Sequence, residues 1–175
     1  MALSLRTAHT AELTSAELRA VHGLLYDAFD GDFGDDDWEH ALGGVHALGY
    51  DARGLAGHGA VVMRRVRYRG RWARVGYVEA VAVRHDVRRT GIGGRIMAEL
   101  EGVITRAYDF GALAASDEGA PLYAARGWRV WDGRLHALGP DGVVRLAEGE
   151  GCTYVWPAVE PAAELLFDWR DGDVL

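Results

Sequence analysis

The sequence contains no lysine, a single cysteine and no long apolar run. A lone Cys152 cannot build a disulfide framework, and no stretch approaches the ~18 consecutive apolar residues of a membrane span. The first residues lack the apolar run of a secretory signal. We therefore expect a cytoplasmic protein with no membrane partner. All 19 basic residues are arginine and the net charge is −7, which disfavours a nucleic-acid partner and favours a cationic one.

Histidine is present, but not at the spacings of a metal site. We expect no metal cofactor, and we expect Cys152 to pack as a small apolar side chain. The length of 175 residues and the hydrophobic content of 49% suit a single compact domain spanning 1–175.

The hydrophobic periodicity predicts a mixture of α and β elements without strict alternation. Strands are predicted at 3–9, 46–50, 55–68, 72–83, 113–115, 128–131 and 152–156. Helices are predicted from the capping box Thr14/Glu17 to about Phe29, over 91–109, and from Ser116 to Gly127. Residues 30–37 are predicted to be an acidic loop. The arginine-rich segment 64–74 is expected to be a solvated hairpin or a sheet edge protected by charge. The expected fold class is α/β, with a mixed sheet flanked by helices.

A glycine-rich turn follows the strand 72–83 and carries Arg88, Gly91 and Gly93. Such a turn at a helix N-terminus suits a diphosphate, because the glycines allow close approach and the N–H groups and helix dipole favour negative charge. Arg84, Arg88 and Arg89 are expected to add positive charge there. The spacing differs from the dinucleotide fingerprint, and a Walker A motif would need a lysine. Alone, the pattern is also typical of a plain tight turn.

A second motif consists of Tyr123, Gly127 and Trp128 at the end of the last predicted helix. By itself it is typical of a helix stop followed by a packed strand aromatic. Together with the Arg88–Gly94 turn, it resembles the GNAT acetyltransferase superfamily. The resemblance implies the GNAT fold, acetyl-CoA as co-substrate, and Tyr123 near the thioester sulfur. The residues it implies for acetyl-CoA are Val81, Ala82, Val83, Arg88, Arg89, Thr90, Gly91, Ile92, Gly93 and Gly94.

The resemblance extends to the aminoglycoside 2′-N-acetyltransferases, in stretches that cover almost the full length. The matching stretches are 28–33, 37–48, 76–84, 122–128 and 168–175. This resemblance implies an enzyme that acetylates an aminoglycoside at the 2′-amine, confers antibiotic resistance and forms a homodimer.

The chemistry of amine acetylation assigns roles to two of these residues. A protonated amine must lose a proton before it attacks a thioester, so a general base is needed. The resemblance makes Glu79 that base, acting through water, and makes Tyr123 the proton donor to the leaving thiolate. The amine attacks directly in a ternary complex, without a covalent enzyme intermediate. The alternative interpretation of Glu79 is a strand carboxylate paired with an arginine. The alternative interpretation of Tyr123 is a tyrosine of the core.

The acceptor site should be acidic, because the run from Asp30 to Glu39 contains no basic residue. A solvated loop is the alternative interpretation of such a run. The residues implied for the acceptor are Asp32, Asp37, Glu79, Ala80, Glu150, Gly151, Asp173 and Leu175, with Asp168 and the terminal carboxylate beside them.

Four positions depart from the family pattern. Ala80 replaces Gly, Ala114 replaces Ser, Glu150 replaces Asp, and Leu175 stands where relatives end in Trp. These departures leave the acceptor range open. An acetyltransferase for a polyamine or another cationic metabolite, and a protein that sequesters aminoglycosides without turnover, remain alternatives.

Overall fold

A computed structural model describes residues 3–175. Within them lie ten strands and four α-helices. The strands are β1 (Ser4–His9), β2 (Val45–Asp51), β3 (Gly54–Tyr68), β4 (Arg71–Val83), β5 (Phe110–Ala114), β6 (Arg129–Val130), β7 (Arg134–Gly139), β8 (Gly142–Arg145), β9 (Thr153–Trp156) and β10 (Glu164–Asp168). The helices are α1 (Ser15–Ala28), α2 (Asp35–Ala41), α3 (Ile92–Ala107) and α4 (Ala120–Ala125). The single domain expected over 1–175 stays a prediction, because the chain divides into two compact units.

The first unit comprises the described residues up to Val62 together with Val78–Val103. In it β1, β2 and the first part of β3 pair antiparallel. The apolar face of α3 lies on β3 so closely that a Cβ at Gly59 would approach Leu100 to 2.9 Å. Helix α1 begins at the predicted capping box, where Thr14 accepts from the Glu17 N–H.

The second unit comprises Met63–Tyr77 and Ile104–Leu175. Its strands, including the parts of β3 and β4 that belong to it, follow the order β6-β9-β5-β4-β3-β10-β7-β8. The pairs β4–β5 and β7–β10 are parallel, whereas β5–β9 and β3–β10 are antiparallel. The predicted mixed sheet is confirmed. The buried side chains of the second unit include Trp128, Leu135 and Phe167.

Part of the predicted acidic loop is helical. Residues Asp35–Ala41 form α2, and the Asp37 carboxylate accepts a hydrogen bond of 2.8 Å from the Gly34 N–H just before the helix. Acidic side chains in a first turn also interact favourably with the helix dipole. The density of aspartate that suggested a loop therefore favours a helix start.

Strands β7, β8 and β10 were not predicted from the sequence. Strand β8 is an exposed edge whose four residues show no burial alternation, and β10 has only three consecutive buried residues. Neither carries the period of two that indicates a strand. Strand β10 pairs with β3 and β7, which are distant in sequence, and these pairings decide its conformation. Strand β8 pairs with the adjacent β7 in a hairpin.

The arginine-rich hairpin is solvated except at one position. Arg65, Arg67, Arg69, Arg71 and Arg74 are exposed. The expectation was wrong for Arg64, which is 4% exposed.

Candidate active site

The predicted diphosphate turn lies between β4 and α3, as the sequence indicated. Gly91 has φ +89°, and no atom lies within 4 Å of where its Cβ would be. The first helical bond of α3 runs from the Arg95 N–H to the Gly91 carbonyl at 3.2 Å. The N–H groups of the first turn have no carbonyl partner within a helix. An open backbone beside a helix N-terminus fits a diphosphate.

Arg88 braces this turn against its neighbours. Its Nε donates to the Val83 carbonyl and one Nη to the Ala28 carbonyl, both at 3.1 Å. The Thr90 hydroxyl donates to the Val87 carbonyl at 2.6 Å. These bonds tie the turn to the end of β4 and to the end of α1. The neighbouring Arg89 is exposed.

Arg84 does not supply the phosphate charge expected of it. Its guanidinium binds Asp51 at 2.5 Å and Asp86 at 2.6 Å. The hydrogen bonds that Arg84 donates to these two carboxylates raise the pKa of Arg84, with Asp86 contributing most. In turn, Arg84 lowers the pKa values of both carboxyls. Its charge is therefore balanced within the protein.

The proposed base Glu79 is partly buried on β4, next to a backbone irregularity. Ala80 has φ +53°, a left-handed conformation that is uncommon for a residue with a Cβ. Ala80 packs against an apolar cluster that also receives Phe33 and Trp38 from the acidic segment. The structure thus brings the acidic segment and the neighbour of Glu79 to one cluster. Asp32 is exposed there, and Asp37 is engaged at the start of α2.

Two buried histidines behind Ala80 were missed in the sequence. His58 Nδ1 lies 2.9 Å from the Ala80 carbonyl, His46 Nδ1 lies 2.8 Å from His58 Nε2, and the Thr10 hydroxyl lies 2.7 Å from His46 Nε2. Because a carbonyl only accepts, His58 donates to Ala80, His46 donates to His58, and Thr10 donates to His46. Burial, and to a smaller extent the charge of His9, lowers the pKa of His46 to about 4. Burial, and to a smaller extent the charge of His46, lowers the pKa of His58 to about 3.

The hairpin turn at Asp51–Gly54 could not have revealed this pair, because the register shifts by one residue between Gly49 and Tyr50. Only beyond that shift does Leu48 lie opposite His58 and His46 opposite Ala60. Diagonal neighbours on paired strands share a face and lie within reach of long side chains.

The predicted proton donor and the predicted acceptor residues from Ala114 onward belong to the second unit. Tyr123, 7% exposed, lies on α4, and its ring centroid is 6.3 Å from those of Trp128 and Tyr154. Gly127 ends the helix with φ +86°, as the motif predicted. Ala114 is exposed at the end of β5.

Glu150 and Gly151 line a pocket of about 670 Å³. The Glu150 carboxylate receives two hydrogen bonds from Arg145, at 3.0 and 2.8 Å. Several interactions together lower the pKa of Glu150 to about 2, and the side-chain hydrogen bonds from Arg145 are the largest of them. Glu150 is therefore ionised but already paired, which weakens its attraction for a cationic ligand.

The predicted acceptor residues Asp173 and Leu175 lie in the tail, which is the segment 169–175 after β10. The Asp173 carboxylate accepts from the Leu175 N–H at 3.2 Å, and the Leu175 side chain lies where a Cβ on Gly149 would be. Asp168, expected beside the acceptor, instead binds Arg64 Nε at 2.5 Å and the Arg65 N–H at 3.1 Å.

A family described as "Acetyltransferase (GNAT) domain" matches residues 9–131. The chain belongs to the GNAT acetyltransferase superfamily. It is also 44% identical to an aminoglycoside 2′-N-acetyltransferase of Mycolicibacterium fortuitum, over 97% of this chain and 90% of that protein. Within GNAT it is therefore a member of the aminoglycoside 2′-N-acetyltransferase family, and it is an acetyltransferase of GNAT type.

Solved structures show the same fold at low sequence identity. Escherichia coli ElaA superposes with a TM-score of 0.61 at 18% identity, over 88% of this chain and 99% of that chain. Eis1 from Mycobacterium abscessus gives a TM-score of 0.63 at 18% identity, over 77% of this chain but 33% of that longer chain. Both similarities support the fold alone.

Residues 3–175 contain neither a cluster of metal ligands nor a helix suited to a bilayer. No group of three or more His, Cys, Asp or Glu side chains there could hold a metal ion. None of the helices in the same range combines the length and apolar character needed to cross a membrane.

Proposed function

We propose that this GNAT enzyme transfers the acetyl group of acetyl-CoA to the 2′-amine of an aminoglycoside. The observation that carries this proposal is the 44% identity to the Mycolicibacterium fortuitum protein across 97% of the chain. We further propose that the protein acts in the cytoplasm as a homodimer and confers resistance.

The donor side of the proposal rests on the turn between β4 and α3. The open backbone at Gly91 and the N-terminus of α3 would hold the diphosphate of acetyl-CoA, with Arg89 exposed beside them. Backbone groups of Val81 and Val83 would pair with the pantetheine amides. Acetyl-CoA supplies the activated thioester, and the protein supplies binding and orientation.

The acceptor side of the proposal rests on uncompensated acidic charge. The chain carries −7 overall, and Asp32 and Asp173 are exposed. An aminoglycoside carries several ammonium groups, so carboxylates both attract it and orient it. Glu150 contributes less in this scheme, since Arg145 already pairs with it.

The proton transfers are assigned to Glu79 and Tyr123. Glu79 takes a proton from the acceptor ammonium through a water, and the amine then attacks the thioester carbonyl directly. The tetrahedral intermediate collapses, the C–S bond breaks, and Tyr123 donates a proton to the departing thiolate. The attacking nitrogen loses its second proton to solvent, and Tyr123 is reprotonated from solvent. The products are an amide and free CoA.

Thiol release by purified protein tests the proposal. With acetyl-CoA, tobramycin should release CoA at a rate proportional to enzyme. Kanamycin A, which carries a hydroxyl at the 2′ position, should release far less. NMR of the tobramycin product should show a single acetamide on the 2′ nitrogen.

Two alternative results would redirect the proposal. Preferential turnover of spermidine would indicate a polyamine acetyltransferase. Tight calorimetric binding of tobramycin without thiol release would indicate sequestration. Expression in a susceptible host should raise the inhibitory concentration of tobramycin, and sedimentation analysis tests the dimer.

A further inference from the structure

The segment after β10, residues 169–175, forms neither helix nor strand, yet it is held firmly in the second unit. A segment that ends a fold frays unless specific contacts hold it. Here Val174 is 7% exposed. Leu175 packs on Gly149 with no room for a side chain there, because a Cβ would lie 2.0 Å from its δ carbon.

One buried arginine connects the two ends of this segment. Arg64 Nη2 donates to the Asp168 carbonyl at 2.7 Å and Nε to the Asp168 carboxylate at 2.5 Å. Nη1 of the same guanidinium donates to the Val174 carbonyl at 2.8 Å. A planar fork of donors suits this geometry, and a lysine could not reproduce it.

Aromatic rings hold the guanidinium in place. The Arg64 guanidinium carbon lies 5.3 Å from the ring centroid of Tyr77 and 5.4 Å from that of Phe167. Arg170 lies 5.3 Å from the Tyr77 centroid and donates to the Val174 carbonyl at 3.1 Å. Cation–π contacts strengthen when the cation is removed from water. The Val174 carbonyl thus accepts from two guanidinium groups that both lie against Tyr77.

Asp173 precedes this doubly bonded peptide and is exposed. Its backbone position follows from that of Val174, and its carboxylate is oriented by the Leu175 N–H. We infer that Arg64 is a positioning residue for the acceptor site, because it fixes Asp173 where a ligand ammonium group can meet it. This inference rests on the proposed function, in which Asp173 binds the acceptor.

The kinetic test compares Arg64→Met with Arg65→Met, which alters an exposed arginine on the same strand. For Arg64→Met we expect the KM for tobramycin to rise about tenfold, the size of one lost charged hydrogen bond. The KM for acetyl-CoA and kcat should change less than about twofold, since only acceptor binding is affected. Arg65→Met should leave all three constants near those of the wild type.

A double-variant cycle tests the link to Asp173. Asp173→Asn should raise the KM for tobramycin in the same way. The KM for tobramycin of the double variant Arg64→Met/Asp173→Asn should then be no higher than that of the single variant with the higher KM. Both changes remove the same interaction, so their effects do not add. Additive effects, or an unchanged KM in Arg64→Met, would overturn the inference.

Hydrogen exchange separates this inference from the proposed function. Amides in 169–175 should exchange faster in Arg64→Met than in Arg65→Met, whichever acceptor the enzyme uses. Unchanged exchange overturns the anchoring role. If the wild type acetylates no aminoglycoside, the proposed function is wrong, and so is the role of Arg64 in binding the acceptor. The hydrogen-exchange result would still show whether Arg64 anchors residues 169–175. Should Arg64→Met fold poorly, Asp168→Asn weakens the same anchor and should give the same KM pattern.

Discussion

At the scale of the residue, charged side chains of similar sequence context have different roles. Arg64 and Arg65 are adjacent, yet the first is buried against the tail and the second is exposed. Glu150 is paired with Arg145, whereas Asp173 accepts only a backbone N–H among the described contacts. A carboxylate that already has an arginine partner offers little to a cationic ligand. The carboxylates proposed to bind the acceptor therefore differ in how strongly they can attract an ammonium group.

Glu79→Gln tests the proposed base. Glutamine keeps the shape and cannot accept the proton, so kcat/KM for tobramycin should fall about a hundredfold at neutral pH. The KM for acetyl-CoA should remain near the wild-type value. Glu99→Gln, on the partly buried side of α3, serves as a matched control and should retain full activity. Wild-type kcat/KM in Glu79→Gln would contradict the assignment.

Gly91→Ala tests the diphosphate turn. Its φ of +89° strains any residue with a Cβ, so the turn should shift, at a cost of about 1 kcal/mol. We expect the KM for acetyl-CoA to rise several-fold and the KM for tobramycin to stay constant. The control is Gly54→Ala in the β2–β3 turn, which has φ +112° and equally open space. If both variants change the KM for acetyl-CoA alike, the turn has no special role.

At the scale of the element, the type and length of a strand such as β4 were easier to predict from the sequence than an irregularity in its backbone. The long β4 was predicted within one residue of its start and its end. Its left-handed residue Ala80 was not, because alanine carries no signal for φ +53°. The His58 side chain, which hydrogen-bonds the Ala80 carbonyl, comes from β3. The backbone beside Glu79 thus depends on a neighbouring strand.

Two glycine substitutions separate helix propensity from packing. Gly23 lies in α1 with nothing within 4 Å of a Cβ, so Gly23→Ala should raise the free energy of unfolding by about 0.5–1 kcal/mol. A Cβ on Gly44 would lie 2.1 Å from the Val61 carbonyl oxygen, so Gly44→Ala should lower it by more than about 2 kcal/mol. Urea unfolding measures both. Equal effects of the two changes would show that the close approach of β3 to Gly44 does not limit stability.

At the scale of the whole molecule, charge and buried polar groups make stability depend on pH. His46 and His58 are neutral when folded, with pKa values of about 4 and about 3. Their unfolded pKa is about 6.5. Above that value neither state is protonated, and no penalty arises. As pH falls below it the unfolded state binds protons that the folded state does not, so stability declines.

Urea unfolding at several pH values measures this dependence. Between pH 6.5 and 4.5 we expect the free energy of unfolding to fall by between about 1 and 3 kcal/mol per pH unit. The double variant His46→Gln/His58→Gln keeps hydrogen-bonding groups that do not titrate, so its stability should be nearly constant in that window. Equal slopes for the two proteins would show that the pair does not control the effect.

The sequence by itself determined the main elements, the mixed sheet, the Gly91 turn ahead of α3 and the family motifs. These features depend on local periodicity, on glycine, and on residues close together in the chain. Only the tertiary structure decided which charges are paired, which histidines are buried together, and how the tail is held. Arg64 meets Asp168 across 104 positions, and no local pattern encodes such a contact. The physical reason is that burial and pairing depend on what the folded chain brings within a few ångströms, whereas propensity depends on neighbours in sequence.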